Sequence, residues 1–268
     1  MTKSQLKADR IAEQLREDIR HGRLLPGQKL ATVRALAEDW GVAYNTVSRA
    51  ISTLKDEGLL TGVGGGPTRV RVQPIPVVRD NRTYAEEKAL VLAPQEVRAR
   101  NGVSERSMGI AVQDLHADDY DYEVVKAKDC PALVADILQL HDDDQVLRRR
   151  YFRRHAEGAG ASTSTSYIPY AIAAGNPKLL DKSEEPWPGG TFHQLWTVGR
   201  EVGRMEEHIS ARMPTAEEQA ELDIPPKVPL FDLTKITFDT QERPVEVAFI
   251  PLPADRVRFV YSTPLERW

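Results

Sequence analysis

The chain has 268 residues, 41% hydrophobic and 28% charged, with a formal net charge of -4. No run approaches the ~20 apolar residues of a membrane helix, the first residues show no apolar export core, and the single cysteine, Cys130, excludes an internal disulfide and any multi-cysteine metal site. A cytoplasmic protein of about two domains is expected, with no cofactor, no metal and no membrane partner.

In chain order, residues 4–21 place Ala8, Ile11, Ala12, Leu15 and Ile19 at helical spacing, which predicts an amphipathic helix stopped by Gly22. Leu24-Leu25-Pro26-Gly27 predicts a turn. Thr32 is placed to cap a second helix over 33–40. Gly41 turns the chain into a third helix over 44–57, with Val47, Ala50, Ile51 and Leu54 on one face. The opposite face carries Tyr44, Asn45, Ser48, Arg49, Ser52 and Lys55, and no acid precedes Asp56. The glycines of 62–66 and the alternating run 68–72 predict a glycine-tipped hairpin. Pro74, Pro76 and the polar run 79–82 predict a linker. Beyond it, strands are expected over 120–128, 146–154, 162–168, 205–212, 229–240, 244–250 and 256–261, and helices over 131–140 and 191–199. A turn is expected over 156–160, and Thr215 with Glu218 predicts a capping box opening a short helix.

Charge divides along the chain. Residues 1–75 hold 12 Lys+Arg against 8 Asp+Glu, or +4, which leaves 24 against 32, or -8, for the rest. Such a basic head predicts that the head alone meets a polyanion. Three helices and a glycine-tipped hairpin form the winged helix-turn-helix plan, with the third helix suited to a major groove and the hairpin to the adjacent minor groove. Ile11-Ala12, Leu15-Arg16, Pro26-Gly27, Arg34-Ala35-Leu36-Ala37, Gly41-Val42, Thr46-Val47 and Glu57-Gly58-Leu59-Leu60 stand at the spacing of one family. On these marks residues 8–72 resemble the GntR family of bacterial transcription regulators. The resemblance implies DNA contacts at Arg34, Tyr44, Thr46, Ser48, Arg49 and Gly65. Arg34 and Thr46 are expected on phosphates, and Tyr44, Asn45 and Arg49 on bases. Arg69 adds charge along the wing. Ala43-Tyr44 replaces the family's Ser-Arg, which removes a helix cap at a cost of about 1 kcal/mol unless another group compensates.

The second half resembles the UTRA effector domain of the HutC-type branch, whose fold is like chorismate lyase. The marks are Val146-Leu147-Arg148-Arg149-Arg150, Thr165-Ser166-Tyr167-Ile168-Pro169, Ile209-Ser210-Ala211-Arg212 and Pro244-Val245-Glu246-Val247. The resemblance implies a small-molecule pocket lined by an arginine pair, a serine on the next strand and a glutamate near the C-terminus. Arginines suit this role because their planar donors grip phosphate or carboxylate. Strand alternation puts Arg148, Arg150 and Arg154 on one face and Arg149 and Arg153 on the other. The first set, sharing its face with Phe152, is favoured, together with Ser166, Tyr167 and Glu246. The family's glycine-proline turn is replaced around Ala159-Gly160, so its usual ligand class is not presumed.

The expectation is an α+β protein: a winged helix-turn-helix over 1–75, a linker over 76–95, and a UTRA-like effector-binding and dimerisation domain over 96–268. Its expected function is a repressor that binds a double-stranded DNA operator as a homodimer, with affinity modulated by a small-molecule effector. The alternative is a repressor of a mobile element whose C-terminal domain only dimerises. No acid-base or nucleophile constellation supports an enzyme.

Overall fold

A computed structural model describes residues 3–62, 66–72, 76–101, 115–155 and 161–265. The chain divides into two units, Met1–Pro74 with Met213–Pro229, and Ile75–Arg212 with Leu230–Trp268.

The first unit holds α1 (Lys3–Arg20), α2 (Val33–Asp39), α3 (Tyr44–Asp56) and a hairpin of β1 (Leu60–Thr61) and β2 (Arg69–Val70). The apolar stripe of α3, Val47, Ala50, Ile51 and Leu54, is buried against Ile11 and Leu15 of α1, with Leu30, Leu60 and Val70 completing the core. Thr32 caps α2, its Oγ1 accepting the Ala35 amide at 3.2 Å. Ala43 stands at the N-cap of α3 and offers no side-chain acceptor. The Arg16 guanidinium clamps Glu57, with Nη2 2.8 Å from Oε2, and so ties α1 to the end of α3. Lys55 Nζ donates to the Gly62 carbonyl at 2.9 Å and anchors the base of the wing. Gly62 is required there, because its φ is +147° and a Cβ would lie 2.9 Å from the Pro67 carbonyl oxygen. The unit also includes the excursion Met213–Pro229, which contains the helix α9 (Ala216–Leu222). The Lys227 amide donates to the Asp56 carbonyl at 2.8 Å, so the expected division at residues 75 and 95 omits this return of the chain.

The second unit is built on an antiparallel sheet in the order β4-β5-β6-β9-β8-β7. Its strands are β4 (Leu115–Lys126), β5 (Gln145–His155), β6 (Ala161–Pro169), β7 (Val202–Arg212), β8 (Leu230–Asp239) and β9 (Pro244–Pro253). The helices are α4 (Thr83–Leu90), α5 (Gln95–Asn101), α6 (Ala132–Leu138), α7 (Tyr170–Ala173) and α8 (Gly190–Thr197). Both faces of the sheet are covered. Val146, Tyr167 and Val247 pack with Val134 and Leu138 of α6. Leu147, Ile168 and Val245 pack with Ala173 of α7 and with Phe192 and Leu195 of α8. In β5 and β6 neighbouring residues therefore enter different cores, as the period of two requires, while in β9 a register shift beside Val245 sends Val245 and Val247 to different cores.

The stretch expected as a linker is structured instead. β3 (Val77–Asp80) pairs in parallel with β10 (Val257–Val260), and Tyr84 of α4 packs against the core under α8. The Pro-rich and polar composition hid this because the partner strand lies near the other end of the chain. The expected turn over 156–160 falls outside the described residues.

Candidate nucleic-acid interface and ligand cavity

The face of α3 opposite the core is solvent-facing. Tyr44, Asn45, Arg49 and Ser52 are exposed and Ser48 is half-buried. Arg34 of α2 is exposed and lines a cleft with Lys7, Val42, Ala43 and Tyr44 at the start of α3. Arg69 is exposed along the wing, and its Nη1 donates to the Gly27 carbonyl at 3.1 Å. Thr46 differs from the rest. It is 5% exposed, with Oγ1 3.4 Å from Ser4 Oγ, and it packs the seam between α1 and α3. Gly65 lies outside the described residues. The start of α3 carries no side-chain cap, and the positive end of its dipole lies beside this row, a polarity that favours anions.

The second unit holds a cavity of about 40 Å³ against the face of the sheet that α8 covers. Beside it lies a buried charge network. Arg149 is fully buried, and its Nε donates to Ser166 Oγ at 2.9 Å, its Nη1 to Gln194 Oε1 at 2.6 Å and its Nη2 to Glu246 Oε1 at 2.8 Å. The guanidinium carbon also stands 5.6 Å from the centre of the Tyr151 ring. Glu246 Oε2 accepts Thr237 Oγ1 at 3.1 Å and stands 3.7 Å from Lys235 Nζ. Burial alone would raise the Glu246 carboxyl, but Lys235 and Arg149 hold it below the usual glutamate value. Burial would likewise depress Arg149, and Tyr151, Tyr122 and Glu246 raise it instead. Glu185 closes the network, its Oε1 accepting Tyr122 Oη at 2.5 Å, Gln194 Nε2 at 2.9 Å and Tyr151 Oη at 3.2 Å.

Several expected effector residues fall elsewhere. Ser166 and Glu246 line the cavity, as do Tyr151 and Arg153 of β5. Arg148 and Tyr167 lie on the other face of the sheet, where Arg148 pairs with Glu123 and Tyr167 stacks edge-on with Phe249 at 5.9 Å. Arg150 is exposed, and the side chain of Arg154 lies outside the described residues. The cavity thus takes the arginine set opposite to the favoured one. The aromatic on the cavity face is Tyr151, which is buried, whereas Phe152 is only partly so. Gln194, Glu185, Lys235 and Arg79 also belong to the site, and no sequence pattern marks them. Arg79 in particular stands in the stretch expected as a linker.

Residues 7–70 match the bacterial regulatory proteins of the gntR family, and residues 116–258 match the UTRA domain. An uncharacterized HTH-type transcriptional regulator of Streptomyces coelicolor is 31% identical over 249 residues, covering 90% of this chain and 85% of that protein. The mannosyl-D-glycerate transport/metabolism system repressor MngR of Escherichia coli is 26% identical over 223 residues, covering 83% of this chain and 81% of its own. A crystal structure of a GntR-family transcriptional regulator superposes with a TM-score of 0.62 at 24% identity, covering 97% of this chain and 98% of the other, and shares its fold. No helix among the described residues is long and apolar enough to cross a membrane.

Proposed function

The chain belongs to the GntR family of bacterial regulatory proteins, as a DNA-binding transcription regulator with a UTRA effector domain and not an enzyme, and on that premise we propose that it is a repressor. In this reading two copies, joined through their effector domains, bind a near-palindromic operator with half-sites about one helical turn apart. The observation that carries it is the exposed row Tyr44, Asn45, Ser48, Arg49 and Ser52 on α3, flanked by Arg34 and Arg69. Arg34 and Arg69 serve phosphates, while Tyr44, Asn45 and Arg49 read base edges. A small molecule in the cavity of the second unit favours one arrangement of the two heads and changes operator affinity. A coupling of about 1–3 kcal/mol is a roughly 5- to 150-fold change. The repressor name of MngR supports the sign of the effect.

Selection of duplexes from a random pool by the full chain tests this. Enrichment of symmetric half-sites centred ~10–10.5 base pairs, or a multiple of that, apart is expected. Failure to enrich any sequence over competitor at modest salt overturns the proposal.

One observation favours the second reading, a body that dimerises without an inducer. Ser166 and Glu246, two groups expected to receive a ligand, are both bonded instead to Arg149. Release of the selected operator by small molecules separates the two readings.

A further inference from the structure

Arg79 stands apart from the other cations of the cavity. It comes from β3, ahead of the residues matched to the UTRA domain, and is 4% exposed. Its Nη2 donates to Glu207 Oε1 at 2.7 Å and to Tyr84 Oη at 3.1 Å. Its Nε and Nη1 are buried and donate to nothing, although Arg79 lines the cavity. A buried guanidinium with unmet donors is costly, and native proteins seldom keep one without a functional reason.

The cavity wall does not supply the acceptor. Glu185 Oε1 is taken by Tyr122 and Gln194, and its Oε2 by the Trp187 amide at 2.8 Å. Glu246 is shared between Arg149 and Lys235. By charge, Arg79, Arg153 and Lys235 line the cavity against Glu185 and Glu246. The cavity, of about 40 Å³, admits a compact group.

Resting on the effector reading above, we propose that the effector presents a compact anionic group, phosphate or carboxylate, and that Arg79 binds it through the donors that Glu207 and Tyr84 leave over. Arg79 is then a residue that selects for anions, beside Arg153 of β5, which lines the same cavity, and in place of the expected Arg148, Arg150 and Arg154. Arg149 of that strand is already satisfied. Arg148 faces away, paired with Glu123. The location also gives the ligand a grip on regulation. β3 opens the second unit, which begins at Ile75, and pairs only with β10 among the described strands. An anion held by Arg79 draws on the guanidinium that otherwise serves Glu207, and so acts on the first strand after the head.

The test titrates the full chain with inorganic phosphate and, separately, malonate, each against sodium chloride at equal ionic strength. Tryptophan fluorescence reads binding, because Trp187 lines the cavity. Saturation by phosphate alone, malonate alone or both identifies the anion class, and each supports the proposal. Arg79→Lys keeps the charge opposite Glu207 but not the extra donors, so its half-saturation concentration rises about ten-fold or more. Arg148→Lys titrates like the wild type. Glu207→Gln frees Arg79 and lowers the half-saturation concentration, which keeps the test open if Arg79→Lys misfolds. An Arg79→Lys protein that titrates like the wild type overturns the role of Arg79 and leaves the effector reading intact. A wild-type protein that answers to neutral molecules but to neither anion does the same. Intact operator binding with no response to any small molecule overturns the effector reading, and the proposal with it.

Discussion

Replacing Glu246 by alanine removes the carboxylate opposite a guanidinium that has no access to solvent. Arg149 would keep Ser166 and Gln194 as acceptors, but both are neutral. Lys235, whose Nζ stands 3.7 Å from the lost oxygen, would add unbalanced positive charge. Breaking a buried pair from one side costs about 3–5 kcal/mol, a large part of a typical domain's stability of about 5–15 kcal/mol. For a unit of this size each kcal/mol lowers the melting midpoint by about 2–4 °C, so Glu246→Ala is expected to lower it by about 6–20 °C. Scanning calorimetry measures this on the transition of the second unit. Arg149→Met combined with Glu246→Leu removes both charges, and its loss should fall short of the sum of the two single losses by about 1–3 kcal/mol. A fall of under 2 °C in Glu246→Ala, or single losses that add within about 0.5 kcal/mol, would refute the view that these residues act mainly on each other.

The remaining predictions concern acid stability, the caps and the DNA row. Because Glu246 is held below its ordinary value of 4.5, its stabilising contribution is present above that pH and is lost as pH falls through the lowered value. The gap in melting midpoint between the wild type and Glu246→Gln should therefore be wide at pH 7 and narrow below pH 4, and a gap constant over that range counts against the depressed carboxyl. Ala43→Ser supplies the acceptor missing at the start of α3, where the backbone is already extended, and should stabilise the first unit by about 0.5–2 kcal/mol in urea unfolding. Thr32→Ala should cost a similar amount by deleting the bond to the Ala35 amide, and an unchanged urea midpoint would rule out that cap. Arg49→Ala should weaken binding to the selected operator by about 1–3 kcal/mol and relax the preference at one position of each half-site, as read by gel shift at fixed salt. Equal loss on every sequence would assign Arg49 to a phosphate instead.

The order of residues by itself determined the head. The spacing of Val47, Ala50, Ile51 and Leu54 selects the buried face of α3, and by exclusion the row that can meet DNA, because helical period and glycine-marked turns are properties of neighbours in the chain. It also determined the strands of the body and the presence of Arg149, Ser166 and Glu246 in three motifs. The burial of Thr46 was not legible, because a short hydroxyl on a polar-looking face can also reach a neighbouring helix, here at Ser4. Only the tertiary structure decided which face of β5 closes the cavity. Alternation yields two arginine faces of equal period, and with helices over both sides of the sheet, Val146 and Leu147 are buried alike. Arg79 lay beyond any local reading for the same kind of reason. Its strand exists through pairing with Val257–Val260, far along the chain, and its chemistry comes from burial beside Glu207.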